Sequence, residues 1–381
     1  MHEARSRMQE AGCKISWISL GLIGLLLSAC AAANPAPIEA PPTVEPTAMV
    51  RGAPTVIPTR APTATPTITP TPQPQLIQLT IDGCCVNPGW SPDSQQVLFI
   101  DKPAADVDVG FYALEVNGND RTPKYAGRVG VYSSDRTFAA FAEGSRTVVE
   151  RLSSGESWIM PNNGQAVEFS SNNRRVAWER EAISGPYDQR QNEIFVADYT
   201  GENAERVTRV YGGGLVGWLP NSNSLMFSGR PSLDTRDRTL SVIDLDNNTV
   251  ADLVTAERIS GISASNSGTW VAYFISFNED DTRNGIWVQR TDGSEARKLD
   301  QWGAYQWRDD THLLMIPMRA DAQKPFELWE IDAATGQSRQ LIDGAITPLT
   351  ILNGDWRVSP DGKSIAFVSS LDRNVWVLKL P

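Results

Sequence analysis

Two stretches with the same pattern decide the fold: Trp90-Ser91-Pro92-Asp93-Ser94 followed by Val97-Leu98-Phe99, and Ser359-Pro360-Asp361-Gly362 followed by Ile365-Ala366-Phe367. Each joins a polar turn to a short apolar strand. Weaker copies keep the frame, with a second apolar or aromatic residue nine positions after the first. The copies begin at residues 90, 132, 169, 218, 264, 307 and 358. Self-similarity at a period of about 40–50 residues indicates a repeat architecture.

Further strands follow each copy, and they alternate apolar and polar residues. Ile194-Phe195-Val196-Ala197-Asp198 and Ile286-Trp287-Val288-Gln289-Arg290 are examples. Gly, Asp and Asn turns separate them, and no long stretch shows the 3.6-residue period of an amphipathic helix. Units of four short strands predict an all-β propeller. Seven blades are favoured, and six or eight remain open.

The W-S-P-D-G turn, the I-A-F strand and an I-Y-V-x-D-type strand resemble TolB-like β-propellers over nearly all of residues 76–381. The resemblance implies a propeller fold in the cell envelope. The chain departs from TolB in having a proline-rich segment where TolB has an α/β domain. The partnerships of TolB are therefore not carried over.

The N-terminal segment has the organisation of an export signal. Arg5, Arg7 and Lys14 precede an apolar run from Ile15 to Leu27, which is too short to span a bilayer. Leu27-Ser28-Ala29-Cys30 resembles the bacterial lipobox. That resemblance implies a signal peptide at 1–29, acylation of Cys30, and extracytoplasmic anchoring to the bacterial cell membrane or outer membrane.

Residues 30–75 are expected to form a disordered Pro/Thr-rich linker behind the lipidated cysteine. Twelve of the 25 prolines lie there, and such a segment cannot bury a core. The remaining residues, 76–381, are predicted to form the propeller. The last copy of the repeat lacks a fourth strand, so the strand at 76–81 is expected to close the ring.

Composition restricts the function. Asp and Glu number 45 against 34 Lys and Arg, for a net charge of −11, which argues against nucleic-acid binding. The two histidines are His2 and His312, so no two-histidine zinc site is expected in the mature chain. We predict no cofactor and no metal.

The evidence for an enzyme is weak, because no G-x-S-x-G hydrolase elbow is present. The predicted first strands, which would line the channel, offer one carboxylate, Glu168. A propeller hydrolase or lyase with a channel active site remains the alternative to a binding scaffold. His312 is interpreted as a turn residue rather than a catalytic base.

The loops between second and third strands are long and charged, and they predict a binding face for a protein or an envelope glycan on a monomeric propeller. Adjacent Cys84 and Cys85 form a possible redox pair in a loop on the same side. The candidate residues on the face are Asp106, Asp108, Tyr187, Asp188, Arg190, Arg236, Asp237, Asp280 and Arg319.

Overall fold

The computed structural model describes residues 73–81, 83, 85–319, 321 and 324–381. In this part of the chain there are 27 β-strands and two short 3-10 helices, at Tyr187–Gln189 and Asp281–Arg283. No helix in the described residues has the length and apolar character needed to cross a bilayer.

The strands pair antiparallel in chain order, four to a blade, from the innermost strand outward. The first two blades are β2 (Val86–Trp90), β3 (Gln96–Asp101), β4 (Gly110–Glu115), β5 (Lys124–Arg128), and β6 (Val131–Tyr132), β7 (Phe138–Glu143), β8 (Arg146–Arg151), β9 (Glu156–Met160). Two later blades are β17 (Ile259–Ala264), β18 (Trp270–Ile275), β19 (Gly285–Arg290), β20 (Ala296–Lys298), and β21 (Gly303–Trp307), β22 (His312–Pro317), β23 (Leu328–Asp332), β24 (Ser338–Ile342).

The third and fourth blades share a strand and form one seven-stranded sheet. Its strands are β10 (Glu168–Phe169), β11 (Arg175–Ile183), β12 (Gln191–Asp198), β13 (Glu205–Trp218), β14 (Ser224–Arg230), β15 (Arg238–Asp244) and β16 (Thr249–Ala256). The first half of β13 pairs with β12 and the second half with β14, after a register shift between Tyr211 and Gly214. This strand is therefore the outer strand of one blade and the inner strand of the next.

The last sheet joins the two ends of the propeller. It contains β25 (Ile351–Val358), β26 (Ser364–Ser369), β27 (Val375–Lys379) and, at its outer edge, β1 (Gln75–Gln78). The closing strand thus begins one residue earlier than expected and ends at 78 rather than 81. The backbone N–H groups of Leu79 and Thr80 still donate to the Val375 carbonyl. Counting β13 in both of its blades, the described chain contains seven four-stranded units.

The sequence repeat maps onto this architecture at every copy. The seven start positions (90, 132, 169, 218, 264, 307 and 358) are each the last residue of an innermost strand. The residue nine positions later lies in the second strand of the same blade, as Phe99 and Phe367 do, both of them buried. The prediction of a β-propeller is confirmed.

The serine of the repeat organises the turn between the first two strands. Ser91 Oγ donates to Asp93 Oδ1 at 2.6 Å and accepts from the Gln96 backbone N–H at 2.9 Å. Asp93 Oδ1 also accepts the Gln95 N–H at 3.1 Å, and these hydrogen bonds lower the pKa of Asp93. The same arrangement recurs at Ser133, Ser170 and Ser359. The motif therefore fixes the register of the first hairpin.

Tryptophans of the repeat join neighbouring blades. The Trp90, Trp218 and Trp307 indoles donate to backbone carbonyls of the preceding blade's innermost strand, at 3.0, 3.1 and 3.0 Å. The acceptors are Arg357, Glu168 and Ser263, each one residue before the end of its strand. The indole thus satisfies a carbonyl that faces the seam, and its ring contributes apolar area there.

The apolar core lies between blades. One cluster combines Ala177 and Ile194 of the third blade with Leu225 and Phe227 of the fourth. Another combines Phe99 of the first blade with strand β27 of the last. Since each blade buries its faces against two neighbours, a single blade has no core of its own.

We predict that Trp307→Phe lowers the free energy of unfolding by about 1 kcal/mol, because it leaves the Ser263 carbonyl without its donor in a partly buried seam. Chemical denaturation followed by fluorescence and circular dichroism measures the change. Trp302→Phe is the control, since Trp302 is 39% exposed and should change stability by less than about 0.5 kcal/mol. Equal effects of the two substitutions would contradict the role given to the indole.

Candidate functional site

The two faces of the propeller differ in the connections they carry. The first-to-second and third-to-fourth strand turns lie on one side. The other side, called here the long-loop face, carries the second-to-third strand loops and the segments between blades. Its longer loops span residues 102–109, 184–190, 231–237, 276–284 and 318–327. The strand order places these connections on one side, and the strand bounds show that most of the longer loops lie there.

Exposed apolar side chains concentrate on the long-loop face. Seventeen large hydrophobic residues are exposed in the described part of the chain. Those in the loops and blade-to-blade segments of this face are Ile81, Val109, Val129, Tyr187, Leu233, Phe277, Trp302, Met318, Ile346 and Leu371. Among the described turns of the opposite face, Leu152 is the exposed counterpart. Apolar side chains exposed together on one face are a common feature of interaction surfaces.

Three sequence-predicted residues meet near the loop of the third blade. Asp188 Oδ1 lies 2.5 Å from a nitrogen of Arg238, whose guanidinium is also 5.0 Å from the centre of the Tyr187 ring. Arg190 pairs with Glu181 at 2.9 Å, and Arg230 donates to the Asp188 carbonyl. These contacts tie the loop to the fourth blade.

A second group links the fourth and fifth blades. Arg236 donates to Glu279 Oε1 at 2.7 Å and to Glu257 Oε2 at 2.8 Å. Asp280 instead caps the 3-10 helix at Asp281–Arg283 by accepting the Thr282 N–H at 3.0 Å. Arg236 therefore holds two long loops together.

The other candidates do not join these groups. Asp106 and Asp108 lie in the loop of the first blade, and Arg319 packs 3.7 Å from the centre of the Phe326 ring. Cys85 is disulfide-bonded. Cys30 and Cys84 lie outside the described residues.

Two carboxylates lie beside the channel at the shared strand. Glu168 on β10 and Glu179 on β11 are on the same side of the third blade, facing the fourth. Glu179 Oε2 accepts the Leu215 N–H at 3.0 Å. Sequence reasoning identified Glu168 but missed Glu179. Glu179 follows the apolar part of its strand, so the side of the blade on which its side chain lies depends on how that strand pairs with its neighbours.

Glycines make room for this pair. A Cβ on Gly214 would collide with Glu179 Oε2, and one on Gly213 would collide with the Ser228 carbonyl. Gly217 has a φ of 147°, and a Cβ there would lie 3.1 Å from Glu168 Oε2. The glycine run was a detectable sequence signal for close approach of carboxylate and backbone.

The surroundings raise the pKa of both carboxyl groups. Burial, and secondarily the charge of Glu179, raise the pKa of Glu168 to about 7. Burial likewise raises the pKa of Glu179, opposed by the hydrogen bond from Leu215. The Glu168 residue is exposed to solvent although protein atoms crowd its carboxyl group, so solvent screens part of the effect that raises its pKa.

His312 lies on the opposite face as the first residue of β22, directly after the turn. Its Nδ1 is 3.0 Å from the Asp309 carboxylate and its Nε2 is 3.7 Å from Asp332. A cleft beside it is lined by charged groups that already pair, chiefly Arg308 and Glu330. Within the described residues, no cluster of three or more His, Cys, Asp and Glu side chains is arranged to hold a metal ion.

No family model matches this chain, and no curated protein matches it. Solved structures do. An oligogalacturonate lyase in complex with manganese is matched with a TM-score of 0.56 and 15% identity, over 80% of this chain and 93% of that chain. The oligogalacturonate lyase of Vibrio parahaemolyticus gives 0.59 and 12%, with the same coverage.

TolB from Acinetobacter baumannii is also matched, with a TM-score of 0.39 and 12% identity over 74% of this chain and 78% of that chain. Identities this low concern the fold alone. The assignment of the fold rests on the repeated four-stranded sheets and on the strand that closes the ring. The chain is a β-propeller, as its repeat predicted.

Proposed function

We propose that this chain is a lipid-anchored, extracytoplasmic β-propeller that binds a protein partner through its long-loop face. The observation that carries the proposal is the asymmetry of apolar exposure. Leu233, Met318, Ile346 and Leu371 are 53%, 70%, 80% and 80% exposed in loops of that face. Exposed side chains of this kind gain free energy when a partner covers them.

The chemistry of the exposed residues favours a protein over a glycan. Leu, Ile and Met fit apolar pockets and contain no group that recognises a hydroxyl. The strongly exposed residues of the face are mostly aliphatic, and buried tryptophans of the repeat serve the seams. An apolar centre with a charged margin is the common composition of a protein–protein interface.

The proposed anchor gives this face access to partners at some distance. Acylation at Cys30 with two or more chains would hold the protein firmly on a membrane. A linker of polyproline type reaching to residue 75 could extend on the order of 140 Å at about 3.1 Å per residue.

A hydrolase or lyase with a channel active site is the second candidate, and Glu168 is the observation that favours it. A carboxyl group with a pKa near neutrality suits general acid–base catalysis. The activity named for the matched lyases is a poor guide, because an oligogalacturonate is a polyanion and the Glu168–Glu179 pair would repel it.

The first prediction concerns the face. A photo-crosslinking amino acid in place of Ile346, in cells of the native organism, should give discrete protein adducts of the full chain. The combined Leu233→Ser, Met318→Ser and Leu371→Ser changes should reduce these adducts at least about tenfold, because they remove apolar contact area. Stability should change by no more than about 0.5 kcal/mol per site.

The matched control places the crosslinker at Leu152 on the opposite face, where few adducts are expected. Equal adducts from both faces would contradict the assignment of the face. If glycosidases remove the adducts and proteases do not, the partner is a glycan rather than a protein.

The second prediction concerns the anchor. Cys30→Ala should abolish acylation, so the variant should partition into the aqueous phase of a Triton X-114 separation while the wild type enters the detergent phase. Intact-mass analysis should show loss of the lipid mass. A wild-type chain recovered without lipid would refute the anchor.

The third prediction concerns the channel. Because the pKa of Glu168 is raised in the folded protein from 4.5 to about 7, its contribution to stability is fully present below about pH 4.5 and is lost as pH rises through about 7. The melting temperature of the wild type should therefore fall, relative to Glu168→Gln, as the pH rises from about 4.5 to about 7. Parallel curves for the two proteins would show that the group is an ordinary solvated carboxylate.

A further inference from the structure

The most unusual residue of the long-loop face is Phe277, in the loop of the fifth blade. Its backbone has a φ of 58° and its side chain is 63% exposed. A bulky residue rarely adopts this left-handed conformation, which glycine and asparagine occupy more easily. An exposed phenylalanine gains nothing from burial to offset that strain. Such outliers persist where the surrounding structure imposes them, and they concentrate at functional positions.

The loop around Phe277 is held by its own hydrogen bonds. The Asn284 side chain accepts the Asn278 N–H at 2.8 Å and donates to the Asn278 carbonyl at 3.1 Å. Lys298 Nζ donates to the Thr282 carbonyl at 2.8 Å, and Arg283 donates to the Thr255 carbonyl at 2.6 Å. The loop is thereby fixed at both ends before any partner arrives, which lowers the entropy cost of binding.

Charged contacts support the aromatic ring and its neighbours. The Arg258 guanidinium lies 4.9 Å from the centre of the Phe277 ring. Arg236 bridges the loop to that of the fourth blade through Glu279, which belongs to the same rigid loop. The fourth-blade loop contributes exposed Leu233, so each of the two linked loops presents an exposed apolar side chain.

The charge around this surface is negative. Asp234, Asp237 and Asp281 form no ion pair with a described basic residue, whereas Arg236 is already paired with two glutamates. In the described loops and blade-to-blade segments of the long-loop face, 14 acidic residues stand against eight basic ones. The opposite face is acidic as well, so charge does not distinguish the two faces. The exposed apolar residues indicate which face binds, and the negative charge indicates what kind of partner it binds. An anionic membrane would be repelled, and a basic protein surface would be attracted.

We propose that Phe277 is the anchor residue of the interface and inserts into an apolar pocket on a basic protein partner, with the surrounding aspartates facing lysines or arginines beside that pocket. This inference rests on the proposed function and adds the position of the anchor and the charge of the partner. Aromatic side chains near the centre of interfaces commonly supply most of the binding free energy.

The test uses the full-length protein in detergent micelles and a random peptide library displayed on phage as the probe. The library should yield peptides that combine an apolar residue with lysine or arginine. Affinity of these peptides for Phe277→Gly and Phe277→Asn should fall at least tenfold. Both substitutions fit a φ of 58°, so the melting temperature should equal or exceed that of the wild type. Leu152→Ser on the opposite face is the control and should bind as the wild type does.

The charge arm uses Asp280→Asn combined with Asp281→Asn, which keeps an N-cap at residue 280 because asparagine also caps. The association rate should fall several-fold at low salt, and the difference should disappear at high salt. Asp292→Asn, in the third-to-fourth strand turn of the same blade, is the matched control and should leave the rate unchanged.

Six results would overturn all or part of the inference. If both Phe277 variants bind the peptides as tightly as the wild type, Phe277 is not the anchor residue. If both variants have a lower melting temperature, Phe277 is a structural residue. If the selected peptides are acidic, the partner is not a basic protein. If only the combined Leu233, Met318 and Leu371 variant loses binding, Phe277 is not the anchor residue, but the long-loop face is still the binding face. Peptides indifferent to every long-loop variant would refute both. If the protein sediments with phosphatidylglycerol vesicles and this depends on Phe277, the partner is a membrane rather than a protein.

Discussion

The structure depends on a hydroxyl group in the turn between the first two strands. Ser91 and its equivalents donate to a carboxylate or amide two residues later and accept a backbone N–H five residues later. These bonds fix which residues of the second strand point into the seams. Because side chains alternate along a strand, a slip of one residue would turn Phe99 or Phe367 out of the core.

The seams between blades then follow from these registers, with one exception that shapes the channel. At three seams an indole donates to a carbonyl of the preceding blade. At the junction of the third and fourth blades, the continuous strand β13 also replaces a separate connecting segment. The chain there must pass close to its neighbour, so Gly213 and Gly214 lack the side chains that would obstruct it. Glu179 fills the space next to Gly214, and burial, with a smaller contribution from the charge of Glu179, raises the pKa of Glu168.

Much of the fold was accessible from sequence because the repeat encodes a local structure. The seven start positions found as a pattern are strand ends, and the closing strand was located within one residue at its start. The shared strand β13 was not predicted, since its two halves resemble ordinary fourth and first strands. For the candidate site, loop length identified the side on which most exposed apolar loop residues lie, and Tyr187 was the apolar-bodied residue named there. The exposure of Leu233, Phe277 and Leu371 depends on which loop residues the packing leaves uncovered, which spacing does not encode.

The distribution of polar groups explains why the two faces can serve different purposes. On the tight-turn side, serine, asparagine and aspartate side chains satisfy backbone N–H groups of their own hairpins and link turns of neighbouring blades, as Ser94 Oγ does by accepting the Asp361 N–H. Substitutions there would disturb register. On the long-loop side, the pairing of strands is already determined before the loop begins, so loop sequence can vary without altering the blades. Apolar side chains in those loops cost little stability and add nothing to the core. Their accumulation on that side, with a strained Phe277 held by the surrounding loop, is therefore better explained by recognition than by folding.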